Sequence, residues 1–226
     1  MRQSGRMEES RERFADLTLE TFSTRLASSD PVPGGGSASA VAAALGASLV
    51  AMVANLSIGR PKYAAYADVL EEARELATTG RRRLLELADE DAQAYSAFMT
   101  ARRLPQESED SIATRDAAVA AAARRAAEVP LEIVRECGRL AEVVEAMAGR
   151  SNLNAASDLG VAAHLIEAAA QGAGANVIIN LPEIPDQRFA GGLTAELSGE
   201  LEAIQRFAVQ TREMIGEGRL REPEEA

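Results

Sequence analysis

Apolar residues recur at every third or fourth position along most of this chain, which predicts long helices. The pattern predicts six helices, at about 18–28, 37–59, 64–103, 109–148, 157–174 and 185–215. Pro130 is expected to kink or divide the fourth helix, and residues 176–180 fit a strand as well as a helix. We therefore predict an all-α fold in one domain over residues 1–226. It is a multi-helix bundle with long antiparallel helices and disordered ends at about 1–14 and 217–226.

The second predicted helix differs from the others in its charge. No charged side chain lies between Pro31 and Gly59, although 26% of the whole chain is charged. The larger apolar residues keep helical spacing, and the other positions are mostly Ala, Gly and Ser, so neighbouring helices can approach closely. Ser37 follows three glycines and is the predicted N-cap. We interpret this segment as a buried central helix of small residues and not as a membrane span.

Composition and charge argue against several classes of partner and site. A formal net charge of −11 argues against a nucleic-acid or anionic-membrane partner. Cys137 is the only cysteine and cannot form an internal disulfide, and the N-terminus has no signal-peptide pattern, so we expect a cytoplasmic protein. His164 is the only histidine and lies in mid-helix with no second histidine or cysteine near it in sequence. We interpret it as a bystander and expect no metal site.

Asp91 is the first candidate catalytic residue. It falls on the apolar stripe of the third helix, whereas Glu86, Glu90 and Gln93 lie on the polar face. A carboxyl shielded from water has a raised pKa, which suits general acid or base catalysis. The structural alternative is that Asp91 pairs with an arginine on a neighbouring helix.

The glycine run and the lysine after the second helix are further candidates. The run 34–37 lacks the Gly-Lys-Ser/Thr of a Walker A loop and the spacing of a dinucleotide fingerprint. It fits a loop at a helix N-terminus, whose free N–H groups favour an anion or a carbonyl oxygen, or simply a helix start. Lys62 is the only lysine among 24 basic residues, and its ammonium has a movable pKa that arginine lacks. The alternative is that it remains by chance in an arginine-rich chain.

Short polar side chains are concentrated in the loop 151–158. Asp158 or Ser157 is a natural N-cap for the fifth helix. The alternative is that Asn154 and Asp158 contact a heterocyclic ligand through paired donors and acceptors.

Several motifs, in the same order, resemble the cyclodeaminase family. This is the cyclodeaminase domain of formiminotransferase-cyclodeaminase, found also as stand-alone bacterial proteins called methenyltetrahydrofolate cyclohydrolase or serine-cycle enzyme. The resemblance runs from about Leu17 to Phe207, with Val32 and His164 as mild departures. Its motifs are 31–37, 52–59, Lys62-Tyr63, Asp89-Glu90-Asp91-Ala92 with Tyr95, 157–163 and 176–180.

The resemblance implies an all-helical homodimer that acts on folate, with one or several glutamates in its tail. It implies no metal and no permanently bound cofactor, since a tetrahydrofolate derivative is the substrate. The activity it implies first is conversion of 5-formimino- to 5,10-methenyltetrahydrofolate with release of ammonia, by a chain that carries no formiminotransferase domain. The alternatives are the cyclohydrolase reaction that gives 10-formyltetrahydrofolate, another amidine or cyclic imine substrate, and a non-catalytic helical scaffold.

Site roles follow as hypotheses. Asp91 shuttles the proton, and Lys62 either holds the anionic glutamate tail or orients Asp91. Asp158 with Asn154 binds the pterin ring. The remaining substrate-binding candidates are Ser37, Gly35, Gly36, Asn55, Tyr63 and Asn176.

Overall fold

The computed structural model describes residues 12–223, which form six α-helices and no strand. The helices are α1 (Leu19–Leu26), α2 (Gly35–Asn55), α3 (Ala67–Arg102), α4 (Glu109–Met147), α5 (Ala156–Asn180) and α6 (Gln187–Glu217). Short 3₁₀ turns lie at Phe14–Asp16, Pro61–Tyr66, Leu153–Ala155 and Leu181–Glu183. The all-α prediction is confirmed, and the tract 176–180 is the last part of α5. The predicted disorder at 1–14 falls largely outside the described residues.

Four helices form a closed ring, in which each packs against two neighbours. α2 packs against α3 and α5, and α4 packs against the same two helices from the opposite side. α6 covers the edge between α4 and α5. The α2 and α5 helices are antiparallel, because Ser39 lies beside Gly172 and Gly46 lies beside Ile166. The predicted bundle of long antiparallel helices is therefore present.

Small residues allow α2 to sit close to α5. A Cβ atom at Gly46 would lie 2.9 Å from Ile166 Cγ1, and one at Gly172 would lie 2.5 Å from Ser39 Oγ. α2 is long and apolar enough to cross a membrane, and 56% of its most apolar 18-residue window is buried inside the bundle. This helix is therefore packed on its inner sides and uncovered on its outer side.

Three local predictions need correction. Ser37 is not the N-cap of α2, because the helix begins at Gly35 with Gly34 as N-cap, and Ser37 is buried in its first turn. Neither Ser157 nor Asp158 caps α5, whose N-cap is Ala155 without a side-chain hydrogen bond. Pro130 does not divide α4, and a kink at this position stays a prediction. Pro130 is buried between the buried apolar residues Val129 and Leu131, so its packing helps to offset the backbone hydrogen bond that proline removes.

The segment after α6 returns to the body of the protein. Gly218 ends the helix at φ 66°, and the backbone N–H of Arg221 donates to the Gly149 carbonyl at 2.8 Å. The Tyr66 hydroxyl donates to the Arg221 carbonyl, and the Arg221 guanidinium pairs with Glu145 at 2.5 Å. The structure therefore holds residues 218–223 in place, where the sequence predicted a disordered tail, and residues 224–226 lie outside its description.

Candidate active site

Asp91 of α3 meets the first turn of α2 at one end of the bundle. Its Oδ2 atom lies 3.1 Å from Ser37 Oγ, and the backbone N–H of Ser37 also donates to this carboxylate. The same hydroxyl lies 2.9 Å from the Ala88 carbonyl oxygen. Since a serine hydroxyl carries one proton, it donates to one of these acceptors at a time. Asp91 thus satisfies a free N–H of α2 that the N-cap Gly34 has no side chain to satisfy.

Gly36 makes this approach possible. A Cβ atom at Gly36 would lie 2.5 Å from Asp91 Cγ and closer still to the Oδ1 atom. Any side chain at this position would displace the carboxyl group. The third glycine of the run therefore has a specific role, which is to admit Asp91 to the N-terminus of α2.

Burial raises the pKa of the Asp91 carboxyl group, and the hydrogen bonds from the Ser37 side chain and backbone oppose that shift in part. The net effect is a carboxyl group that gains a proton more readily than an exposed aspartate. Such a group can accept a proton from one atom of a substrate and return it to another.

A cavity of about 220 Å³ adjoins this carboxyl group. Asn176 and Asn180 of α5 and Tyr95 of α3 supply its other polar side chains. The two asparagines are one helical turn apart, and the Asn180 amide donates to the Ala126 and Asn176 carbonyl oxygens. The cavity thus presents one carboxyl group and several neutral polar groups, and none of its lining side chains is cationic.

No arginine pairs with Asp91 within residues 12–223, so its structural alternative, an interhelical ion pair, is not observed. The neighbouring acids are engaged elsewhere. Glu90 pairs with Arg83 and Arg125, and Asp89 accepts the Phe14 N–H at 2.9 Å. Asp91 is therefore the acid of this segment that faces the cavity.

A second cavity, of about 520 Å³, lies on the other side of the loop that precedes α2. Val32 lines both cavities. Arg13 and Arg25 are the cations that line the second one, and each already pairs with an acid, Asp16 and Glu12 respectively.

The remaining candidates lie at the opposite end of the bundle, around Asn152. The Asn152 Oδ1 atom accepts from the Asn154 N–H at 3.1 Å and lies 3.4 Å from the Tyr63 hydroxyl. The Asn152 N–H donates to Ser57 Oγ at 2.8 Å. Asn152 and Tyr63 are buried, so this cluster ties the end of α2 to the segment before α5. Around it lie the exposed side chains Asn55, Lys62 and Asn154 and the half-buried Asp158.

The ten predicted site residues are therefore divided between two ends. Gly35, Gly36, Ser37, Asp91 and Asn176 come together, and the other five do not join them. From Ala67, just after Lys62, to Asp91 the α3 axis covers about 36 Å, at 1.5 Å per residue. The hypothesis that Lys62 orients Asp91 within one chain is therefore wrong. Its ammonium lies 5.7 Å from the centre of the Tyr63 ring instead.

Sequence reasoning missed Tyr95 and Asn180 as residues of the cavity, and Asn152 as the centre of the buried cluster at the opposite end. Tyr95 lies four residues after Asp91, and Asn180 four residues after Asn176, so helical spacing could have placed each on the same face as its neighbour. No local signal distinguishes Asn152 from the other polar residues of its loop. Residues 12–223 contain no group of three His, Cys, Asp or Glu side chains that could hold a metal ion.

Comparison with known proteins gives consistent matches. Residues 18–199 match the family model described as formiminotransferase-cyclodeaminase. A methenyltetrahydrofolate cyclohydrolase of Methylorubrum extorquens is 39% identical over 184 residues, which are 81% of this chain and 88% of that protein. The formimidoyltransferase-cyclodeaminase of Sus scrofa is 32% identical over 184 residues, and the match spans only 34% of that longer protein. The crystal structure of formiminotetrahydrofolate cyclodeaminase from Thermotoga maritima superposes with a TM-score of 0.82 at 30% identity, covering 90% of this chain and 98% of that one.

Proposed function

Since the chain belongs to the formiminotransferase-cyclodeaminase family, we propose that it acts on the carbon that joins N5 and N10 of tetrahydrofolate. The relatives named above are enzymes, and a non-catalytic scaffold is no longer the alternative. The observation that carries the proposal is the shielded Asp91 carboxyl group, which has a raised pKa and faces a polar cavity.

The first candidate reaction is 5,10-methenyltetrahydrofolate cyclohydrolysis. It is favoured by the identity of 39% to a cyclohydrolase over 88% of that protein's length. Water adds to the bridging carbon and gives a tetrahedral intermediate, and the bond from that carbon to N5 then breaks to leave 10-formyltetrahydrofolate. The Asp91 carboxylate takes a proton from the attacking water and returns a proton to N5 as this bond breaks. One proton is released overall, because the substrate is a cation and the product is not.

The second candidate is formiminotetrahydrofolate cyclodeamination, favoured by the name of the superposed Thermotoga protein. In this reaction N10 attacks the carbon of the protonated formimino group on N5, and Asp91 takes the proton that N10 loses and passes it to the nitrogen that leaves as ammonia. Both reactions pass through a tetrahedral carbon between nitrogens. The same carboxyl group can therefore serve either reaction, and only the entering and leaving groups differ.

The Ser37 hydroxyl and N–H fix the orientation of the Asp91 carboxyl group and leave part of it directed to the substrate. The amide groups of Asn176 and Asn180 are suited to accept hydrogen bonds from the pterin ring through their Oδ1 atoms. Both N–H groups of Asn180 and one of Asn176 already donate to backbone carbonyls, so one Asn176 N–H is left as a donor.

The decisive experiment follows the near-ultraviolet absorbance of 5,10-methenyltetrahydrofolate against its uncatalysed hydrolysis. We expect the wild-type protein to accelerate the loss and Asp91→Asn to lose at least about 100-fold in rate, since general acid–base catalysis contributes about 10²–10⁴. The matched control is Asp116→Asn, an exposed acid of α4 that pairs with Arg115 and should leave the rate unchanged.

A parallel assay measures ammonia release from 5-formiminotetrahydrofolate. Ammonia release without hydrolysis would select the cyclodeaminase. Near-normal rates for Asp91→Asn in both assays would remove Asp91 from the mechanism. If the wild-type protein accelerates neither reaction, the proposed function itself fails.

A further inference from the structure

Seven of the eight aromatic side chains in this chain have a partner within residues 12–223. Phe14 and Phe22 pack edge to face, with 5.6 Å between their ring centres. The Tyr66 hydroxyl donates to the Arg221 carbonyl oxygen. Four further rings carry a lysine or arginine at 4.2 to 5.7 Å from their centres, and these are Tyr63, Phe98, Phe189 and Phe207. The eighth aromatic side chain is Tyr95.

Tyr95 differs from the other two tyrosines in its exposure and its contacts. Tyr63 and Tyr66 are 5% and 4% exposed, and the hydroxyl of each lies within hydrogen-bond distance of a protein oxygen. Tyr95 is 40% exposed, and in the described part of the chain neither its ring nor its hydroxyl has such a partner. An aromatic ring carries partial negative charge on its faces, so a free face attracts a cation.

Tyr95 lies beside Asp91 in the same cavity. It follows Asp91 by one helical turn of α3, about 6 Å along the axis, and both side chains line the cavity of about 220 Å³. Long side chains in an α-helix lean toward its N-terminus, so Tyr95 leans toward the turn that carries Asp91. Its ring is therefore a wall of the cavity close to the carboxyl group to which we assign proton transfer.

The charges around the ring favour a cationic ligand. The cavity is lined by one acid, Asp91, and by neutral side chains, among them Asn176 and Asn180, and none of its lining side chains is cationic. The four rings that carry a lysine or arginine obtain that charge from their own chain. No residue of the cavity lining can supply a positive charge to Tyr95, so a bound ligand is left to supply it.

We propose that the ring face of Tyr95 binds the cationic N–C–N group of the substrate and makes the site select a charged one-carbon group over an uncharged one. The inference rests on the proposed function, since both candidate substrates carry a positive charge on a carbon between two nitrogens. These are N5 and N10 in 5,10-methenyltetrahydrofolate, and N5 and the imino nitrogen in protonated 5-formiminotetrahydrofolate. The 10-formyl product carries no such charge, so the contact also favours its replacement by a new substrate molecule.

This contact has a kinetic signature that differs from the role of Asp91. The positive charge is lost as water or N10 adds to the carbon, so the contact with the ring is not stronger in the transition state than in the bound substrate. Its removal should therefore raise KM without lowering kcat. Tyr95 is in this sense a specificity residue, whereas Asp91 moves the proton.

The test compares a charged and an uncharged ligand of the full chain. Tyr95→Leu keeps an apolar side chain but removes the ring, and KM for the substrate that the wild-type protein turns over should rise about 3- to 30-fold. The uncharged probe is 5-formyltetrahydrofolate, whose inhibition constant as a competitor should change much less. Tyr95→Phe retains the ring face and should retain the preference for the cation.

The matched control is Leu76→Ala, on the same helix, 38% exposed and about 28 Å along the axis from Tyr95. It should leave both constants unchanged, and thermal melts show that each variant is folded. An unchanged KM for Tyr95→Leu would overturn the proposal. Equal rises in KM and in the inhibition constant would also overturn it and make Tyr95 a stacking wall for the pterin ring.

Two further results would contradict this role of the ring. If Tyr95→Phe is as impaired as Tyr95→Leu, the hydroxyl and not the ring face makes the contact. A fall in kcat at unchanged KM would assign Tyr95 to the chemical step. All these outcomes leave the proposed function in place, whereas a wild-type protein inactive on both substrates would defeat the proposed function and this inference with it.

Discussion

The two ends of the bundle contain similar side chains but arrange them differently. At the Asp91 end, a carboxyl group with a raised pKa lies against a helix N-terminus and faces a cavity. At the other end, the side-chain amide of Asn152 is buried and hydrogen-bonded to Leu56, Tyr63 and Asn154, and the nearby candidates Lys62 and Asn154 are exposed. Polar residues alone therefore do not make a site. The Asp91 end combines shielding with open space, and the Asn152 end fills its space with its own hydrogen bonds.

Among the variants that test this difference between the two ends, we expect Gly36→Ala to have the largest effect, which is a loss of activity. The added methyl group must displace the Asp91 carboxyl group, which is the end of a short side chain, so the helix survives and the site geometry does not. We expect a loss of activity of about 100-fold, comparable to removal of the general acid–base group, with little loss of thermal stability. The measurement is the cyclohydrolase rate beside a thermal melt.

The matched control is Gly199→Ala in α6, where an added Cβ atom meets nothing within 4 Å. It should keep full activity and gain up to about 1 kcal/mol of stability from the better helix propensity of alanine. An active Gly36→Ala protein would mean that the observed position of Asp91 is not needed.

Ser37→Ala tests the orientation of the carboxyl group with a smaller change. The variant loses the hydroxyl donor to Asp91, and the backbone N–H of residue 37 still donates. We expect about a 10-fold loss of rate, consistent with one hydrogen bond of about 0.5–1.5 kcal/mol. The pH–rate profile should also shift, because removal of a donor raises the pKa of Asp91 further. Unchanged rate and profile would show that Ser37 only serves packing.

Asn152→Ala should lower the stability of the protein and leave its rate largely unchanged, the reverse of what we expect for Gly36→Ala. It leaves the Asn154 N–H and the Leu56 carbonyl without this partner, which costs about 1–3 kcal/mol in the free energy of unfolding. Urea denaturation measures the loss, and the rate constant of the folded protein should change little. A large loss of rate at unchanged stability would instead make Asn152 part of the site.

The smallest expected effect is the difference in stability between Asp91→Asn and the wild-type protein, which should depend on pH. Because the folded state raises the pKa of Asp91, native protein binds more protons than unfolded protein between the two pKa values, and stability falls as the pH rises through that window. Asparagine carries no charge, so the variant should be at least as stable as wild type at pH 7, and its advantage should shrink toward pH 4. Thermal melts across this range provide the measurement, and an advantage that grows toward acid pH would contradict the raised pKa.

Much of the fold was predictable because it depends on local periodicity. Apolar spacing at 3.6 residues predicted the six helices, and the uncharged tract 31–59 predicted a closely packed helix. The helix ends were less predictable. Asp91 satisfies the first turn of α2 from another helix, so Ser37 is free to be a buried donor and not a cap. Because this partner lies 54 residues away in the chain, the residues around Ser37 carry no sequence signal of it.

The sequence by itself determined that Asp91 is a shielded acid, because its position on an apolar stripe is a property of one helix. It also determined the family, through several motifs in order. Only the tertiary structure decided which candidates share a site, because α3 extends about 36 Å from Ala67, five residues after Lys62, to Asp91, although both candidates belong to recognisable motifs. The physical reason is that periodicity fixes the face of a helix on which a side chain lies, whereas packing fixes which distant residues face it.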